Sequence, residues 1–254
     1  MCLIFFACQA HPRYRLILAA NRDEFYRRPT LPAHQWSDPP DIIAGRDSIG
    51  GGTWLGVTSN GRWAAITNYR SGAERTSVKG RSRGLLVSDF LAGGQSPADF
   101  IHSLTTIDHD YRGFNLLAGD RDTTWYYSNR SRAPQELQSG CYGLSNHLLD
   151  TPWPKLRQGK ADFKGVIKQT EVDDNRLFGL LADRGIPPDD ELPDTGFGLS
   201  WERILAPRFI RSADYGTRSS TILLIAWDGA ISLRERTFER DPQSCEEVLI
   251  QAGD

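Results

Sequence analysis

The chain has 254 residues, with 30 Lys and Arg against 32 Asp and Glu and a formal net charge of −2. That balance leaves no basic footprint for nucleic acid and no polybasic patch for a membrane surface. No run is long and apolar enough to span a bilayer, and the apolar N-terminus lacks the basic flank of a secretory leader.

Cys2, Cys8, Cys141 and Cys245 form no CxxC pair and no zinc spacing, which suits a reducing compartment. The expectation is a soluble cytoplasmic protein that folds as a single domain over 1–254. Its partner would be a small-molecule substrate or a hydrophobic ligand, with no nucleic acid and no membrane span. A homo-oligomer is compatible with the sequence.

Cys2–Cys8 and Tyr14–Ala20 are apolar runs joined at His11-Pro12-Arg13, a hairpin pattern. Neither run alternates, as expected of strands buried on both faces. The second is expected to stop at Asn21-Arg22-Asp23-Glu24, which sets charge beside Cys2. Arg27 to Pro40 holds four prolines and reads as an extended loop, with a short strand at Asp41–Gly45. Thr53–Thr58 and Arg62–Asn68 flank Asn60-Gly61, a strong hairpin signal that delivers Asn68 at its far end.

Leu86, Val87, Phe90 and Leu91 predict a helix stopped near Gly93. Ser96-Pro97 reads as a cap followed by proline at the first helical position, with Phe100, Ile101, Leu104 and Ile107 as the apolar stripe. Strands are expected at Phe114–Ala118, Thr123–Tyr127 and Glu136–Gln138. Gly140 to His147 reads as a tight passage presenting Ser145 and Asn146. Helices follow around Phe163, Val166 and Ile167, and around Leu177, Leu180 and Leu181. Gly185–Ser200 reads as a loop, and a last hairpin joins Thr221–Trp227 to Ile231–Phe238 across Asp228-Gly229. The order of strands, paired helices, strands, paired helices and strands implies an α+β protein. Its expected form is a four-layer α/β/β/α sandwich of two antiparallel sheets.

The five histidines are scattered without metal-ligand spacing, and there is no GxSxG elbow or GxGxxG loop. No metal and no cofactor is expected. A cysteine directly after the initiator Met offers another chemistry. Trimming of Met1 would leave Cys2 with a thiol and an α-amine, of reference pKa about 8.5 and about 7.7–8. The amine can then serve as base for its own side chain.

The remaining polar residues at predicted strand ends are Asp23, Asn68, Asn146 and Arg218. With Cys2, they lie in the segments Ala20-Asn21-Arg22-Asp23-Glu24-Phe25, Gly51-Gly52-Thr53-Trp54-Leu55-Gly56, Thr67-Asn68-Tyr69-Arg70, Gly143-Leu144-Ser145-Asn146 and Tyr215-Gly216-Thr217-Arg218. These segments, in this order, resemble the family named for its Asn-Arg-Asp-Glu motif, also called the transport-and-Golgi-organisation family. That family is distantly similar to the N-terminal nucleophile hydrolases of the penicillin V acylase and bile salt hydrolase group, which share the inferred sandwich.

The resemblance implies an amidohydrolase in which Cys2 attacks a C–N or thioester carbonyl and its α-amine acts as base. Asp23 would hold the amine, Asn68 and Asn146 would stabilise the oxyanion, and Arg218 would steady the thiolate or the departing group. Those hydrolases carry an Arg three residues before the Asp. Ala20 holds that position here, so Arg22 is carried over by residue type. The alternative is a non-catalytic binding or trafficking protein for a hydrophobic ligand such as acyl-CoA or haem.

Overall fold

In the computed structural model the first strand, β1, covers Cys2–Cys8 and is buried along its whole length. The structure describes residues 2–39, 41–72, 80–239 and 245–253; the proposed trimming point, Met1, lies outside them. β1 pairs antiparallel with β2, Tyr14–Phe25. β2 does not stop at Asn21 as the sequence suggested; the four-residue polar motif is part of the strand. The reason is that its polar groups find partners inside the protein. Asn21 Nδ2 donates to the carbonyls of Leu181 and Arg208, at 2.9 and 2.8 Å, and its Oδ1 accepts from Ser220 Oγ at 2.6 Å. A buried polar side chain so satisfied does not end a strand.

Sheet A has six strands in the order β10-β1-β2-β11-β12-β13 and sheet B seven, β3 to β9 in sequence. In sheet A, β10 is Gly140–Leu144, β11 Tyr215–Ala226, β12 Ile231–Phe238 and β13 Cys245–Ala252. Sheet B contains β3 (Thr30–Gln35), β4 (Ile42–Asp47), β5 (Leu55–Thr58), β6 (Trp63–Asn68), β7 (Phe114–Gly119), β8 (Thr124–Ser128) and β9 (Gln135–Glu136).

Alternation along the strands assigns the layers. Ile4, Phe6, Leu16, Leu18 and Leu223 point into the core between the sheets, with Val57, Trp63 and Leu117 of sheet B. Their neighbours Leu3, Phe5, Ile17, Ala19 and Ile222 point the other way, onto α3 (Pro154–Val166) and α4 (Asp174–Leu181). The outer face of sheet B is covered by α1 (Gly84–Ala92) and α2 (Pro97–Leu104). The four-layer α/β/β/α sandwich is therefore present.

Several local expectations need correction. The stretch from Arg27 to Pro40 contains β3 rather than only a loop. Pro32 is tolerated there because β3 is the edge of sheet B, where a missing N–H breaks no central ladder. The Gly140 passage is β10, an edge strand paired to β1. α5, Leu199–Leu205, begins inside the predicted Gly185–Ser200 loop; with seven residues it has too few turns to show a period. Ile107 lies beyond α2 and is 37% exposed, so it is not part of that stripe. β13 follows the hairpin that sequence took as the last element. No helix among the described residues is long and apolar enough to cross a membrane.

Candidate active site

Cys2 opens β1 directly opposite Arg22, and Arg22 in turn stands opposite Ser219 of β11. By alternation with Ile4 and Leu18, Cys2 and Arg22 face the space between the sheets. Asp23 is the next residue of β2, on the side from which the backbone nitrogen of Cys2 enters the strand. Its side chain faces the helical layer, where Thr217 Oγ1 donates to Asp23 Oδ1 at 2.7 Å. The motif thus divides its work by parity: Asn21 and Asp23 on the helix side, Arg22 on the cleft side.

A register shift between Thr217 and Ser219 makes Arg218 the extra residue of a β-bulge. The bulge aims its guanidinium at the chain after β2. Arg218 Nη1 donates to the carbonyls of Phe25, Tyr26 and Arg28 at 3.2, 3.0 and 3.1 Å, and Nε to that of Phe238 at 3.4 Å. Arg218 shares with Arg22, Trp54, Ser219 and Glu235 a cavity of about 480 Å³ between the two sheets. Arg22 lies over the Trp54 ring at 4.5 Å, with Nη2 3.5 Å from Asp47 Oδ2.

Asn68 and Asn146 are brought together at the same end of the sandwich. Asn146 Nδ2 donates to the Asn68 carbonyl at 3.0 Å, and the Asn146 carbonyl accepts from Arg70 N–H at 2.7 Å. Arg70 continues inward, stacking on Trp153 at 4.3 Å and pairing with Glu202 of α5 at 3.3 Å. Both members of that pair are almost fully buried.

Burial dominates the electrostatics. It pushes the Cys2 thiol up, against the pull of the chain's terminal positive charge, so the thiol is protonated near neutral pH. It also pushes the Asp23 carboxyl up, opposed by that same terminal charge and then by Lys155. Lys155, in the first turn of α3, is 6% exposed and donates to the Leu205 carbonyl at 2.8 Å. Burial and then Arg70 pull its ammonium down to about 8. Asp23, Lys155, Arg70 and Glu202 form a buried set of two anions and two cations behind Cys2.

The sequence pointed to Cys2, Arg22, Asp23, Asn68, Asn146 and Arg218, and all lie at this end of the sandwich. It missed Lys155, Thr217, Glu202 and Glu235. For Lys155 and Glu202 no signal existed, because a single charge in an amphipathic helix reads as solvent-facing. Glu235 shares its face with Leu233 and alternates with Arg234, a pattern that already places it on the inner face of β12.

Residues 1–240 match the family described as Transport and Golgi organisation 2. The chain is 38% identical, over 259 residues, to the Transport and Golgi organization protein 2 homolog of Bos taurus, covering 94% of this chain and 93% of that protein. The Drosophila melanogaster Transport and Golgi organization protein 2 is 30% identical over 94% of this chain and 92% of its own. Among solved structures, the Caenorhabditis elegans N-acylethanolamine-hydrolyzing acid amidase ortholog shares the fold. Its TM-score is 0.50 at 10% identity, covering 88% of this chain and 92% of that chain. At that identity the likeness is one of fold, and the fold is that of the N-terminal nucleophile hydrolases.

Proposed function

The chain belongs to the Transport and Golgi organisation 2 family, and we propose that it is an N-terminal cysteine hydrolase acting on a non-peptide amide or a thioester. The observation that carries this reading is the β1–β2 register. It pairs Cys2 with Arg22 on the inner face of sheet A and leaves Asp23 as the next residue of β2, toward the end from which the chain enters β1.

Removal of Met1 would make the Cys2 nitrogen an amine. The free amine takes the thiol proton, and the sulfur attacks the substrate carbonyl to form a C–S bond. The carbonyl electrons move to oxygen, where amide N–H groups of Asn68 and Asn146 stabilise the charge. Collapse breaks the C–N bond, and the ammonium returns its proton to the leaving amine. Water then attacks the thioester, with the amine again taking a proton, and releases the acid and Cys2. Asp23 holds and orients the amine throughout. Because burial pushes the thiol up, the thiol stays protonated until a base acts on it, which is why the adjacent amine matters.

The test is intact mass of the protein followed by acylation with a p-nitrophenyl ester and peptide mapping. The reading expects loss of Met1 and an acyl group on Cys2 that is absent from Cys2→Ala. Retained Met1, or acyl label confined to Cys8, Cys141 or Cys245, would overturn it. A second reading, a carrier for a hydrophobic ligand such as acyl-CoA or haem, is supported by the transport names of the relatives and by the protonated, buried thiol. Ligand binding unchanged in Cys2→Ala, with no acyl-enzyme in the parent, would favour it.

A further inference from the structure

The inner face of sheet A carries a polar row that the proposed chemistry uses only at its start. Cys2 pairs with Arg22, Arg22 with Ser219, Ser219 with Thr237, and Thr237 with Glu246. Alternation from Leu233 and Ile250 puts Thr237 and Glu246 on the same face as Arg22 and Ser219. Neighbouring strands lie about 4.8 Å apart, so the row leads away from the sulfur in steps of that size. The cavity of about 480 Å³ opens on this row, from Arg22 to Glu246, with Trp54 and Leu31 also in its wall. Asn146 lies on the other flank of β1, beyond Leu144, the partner of Ile4. The expected oxyanion side and the cavity side are therefore different sides of Cys2.

Two polar groups on the row are left open. Arg22 is 5% exposed, and its Nη1 is buried with no hydrogen-bond partner among the described residues. Its neighbour Asp47 is engaged more closely by others. Arg28 Nε and Nη2 donate to it at 2.6 and 3.2 Å, and the N–H groups of Ile49 and Gly50 at 3.0 and 2.8 Å, against 3.5 Å for Arg22 Nη2. Ser219 is 2% exposed. Its hydroxyl acts on Glu235 electrostatically but stands outside hydrogen-bond geometry, so Oγ too is unpartnered among the described residues. Glu235 is already engaged, by Ala33 N–H and Thr221 Oγ1. Covering such open groups with an aliphatic chain would leave both unmatched, which is costly. A carboxylate guest would meet Glu239 and Glu246, which also line the cavity, and like charges oppose it. A neutral oxygen acceptor suits both the open groups and the wall.

We propose that this cavity is the acyl subsite, and that the acyl group it takes is polar and uncharged, with an oxygen acceptor for Arg22 and Ser219 a few bonds from the carbonyl that Cys2 attacks. This rests on the reading of Cys2 as nucleophile and adds to it the class of substrate. The acyl part is the one assigned to the cavity because it stays on the sulfur until water releases it, whereas the amine must leave for solvent.

The experiment compares single-turnover acylation of Cys2 by methyl p-nitrophenyl succinate and by p-nitrophenyl hexanoate, read by peptide mapping on the full chain. The two acyl groups have the same backbone length; only the first carries a second carbonyl. In each, sulfur takes the acyl group, p-nitrophenolate leaves with the bonding pair, and the terminal amine takes the thiol proton. Each rate is divided by that of free cysteine with the same ester. The expected preference for the succinate is about tenfold, the usual worth of a hydrogen bond to a charged group. Arg22→Met should bring it near parity, and Arg22→Lys should recover part of it. Ser219→Ala, which removes one oxygen, should lower it about threefold and keeps the test decisive if Arg22→Met does not fold. Succinamide should slow acylation more than succinate does; the reverse order would overturn the uncharged assignment. Parity between the esters in the parent would overturn the proposal while leaving Cys2 as nucleophile. So would a preference unmoved in Ser219→Ala and in whichever Arg22 variant folds. Acyl label on Cys245 from both esters, with none on Cys2, would remove the hydrolase reading and the subsite together.

Discussion

Cys2 and Arg22 stand directly opposite each other on neighbouring antiparallel strands, and both face the space between the two sheets. Asp23, one residue further, faces away from it and bonds Thr217. A single two-residue step of β2 therefore supplies both faces of the strand: a cation for the cleft and a carboxylate for the helical side. Strand alternation, rather than a loop, fixes this division, so neither residue can change role without a register slip.

This geometry separates Asp23 from its support. Asp23→Asn keeps the shape and the Thr217 bond but removes the charge that holds an amine. It should reduce single-turnover acylation of Cys2 by about 10²–10⁴-fold, the usual worth of a positioned acid–base arrangement. Thr217→Val removes one bond to the carboxylate and should cost about tenfold, in line with a hydrogen bond to a charged group. Equal rates for Asp23→Asn and the parent would remove Asp23 from the mechanism.

Lys155 gives the buried network a signature in stability. Its ammonium is held at about 8, against 10.5 for an unhindered lysine. Between those values the folded protein has released the proton and the unfolded chain keeps it, so unfolding takes up a proton and stability rises with pH. The full rise is about 3 kcal/mol. Urea midpoints at pH 7, 8.5 and 10 should climb more steeply in the parent than in Lys155→Met; parallel lines would sink the assignment.

Glu235 should behave in the opposite sense. It is 1% exposed, Oε1 accepts from Ala33 N–H at 2.7 Å, and Oε2 accepts from Thr221 Oγ1 at 2.9 Å. Burial outweighs these bonds and raises its pKa. The folded state then holds the proton over a window where the unfolded chain has lost it. Stability falls as pH rises from the ordinary glutamate value through the raised one. Glu235→Gln, neutral at every pH, should flatten the difference; thermal melts at pH 4, 5.5 and 7 would show whether it does.

How much of this was legible depends on what kind of contact fixes each part. The buried strands, the paired helices and their layering follow from apolar patterning, which also set Asp23 beside Cys2; Asn68 and Asn146 were joined to them through the family resemblance. The continuation of β2 through Asn21 was hidden because its support comes from the carbonyls of Leu181 and Arg208, far away in sequence. The same is true of Lys155, whose burial is decided by where α5 docks. β3 carries a proline and β13 is half exposed along its length, so neither shows the pattern of a central strand.

The turn before β5 offers a test of how the fold seats α1. A Cβ on Gly52 would run into the backbone of Gly84, at the first residue of α1 and next to Arg83. Backbone cannot swing aside as a side chain can, so Gly52→Ala must push the start of α1 outward. The expected cost is about 1–3 kcal/mol, as for other overpacked sites. Gly51 is the control: it has φ +75° but open space around it, so Gly51→Ala costs about 1 kcal/mol of backbone strain without moving α1. Denaturant melts give the two costs. A larger loss in Gly52→Ala than in Gly51→Ala is the expected outcome, and equal losses would show that the start of α1 is not seated by this contact.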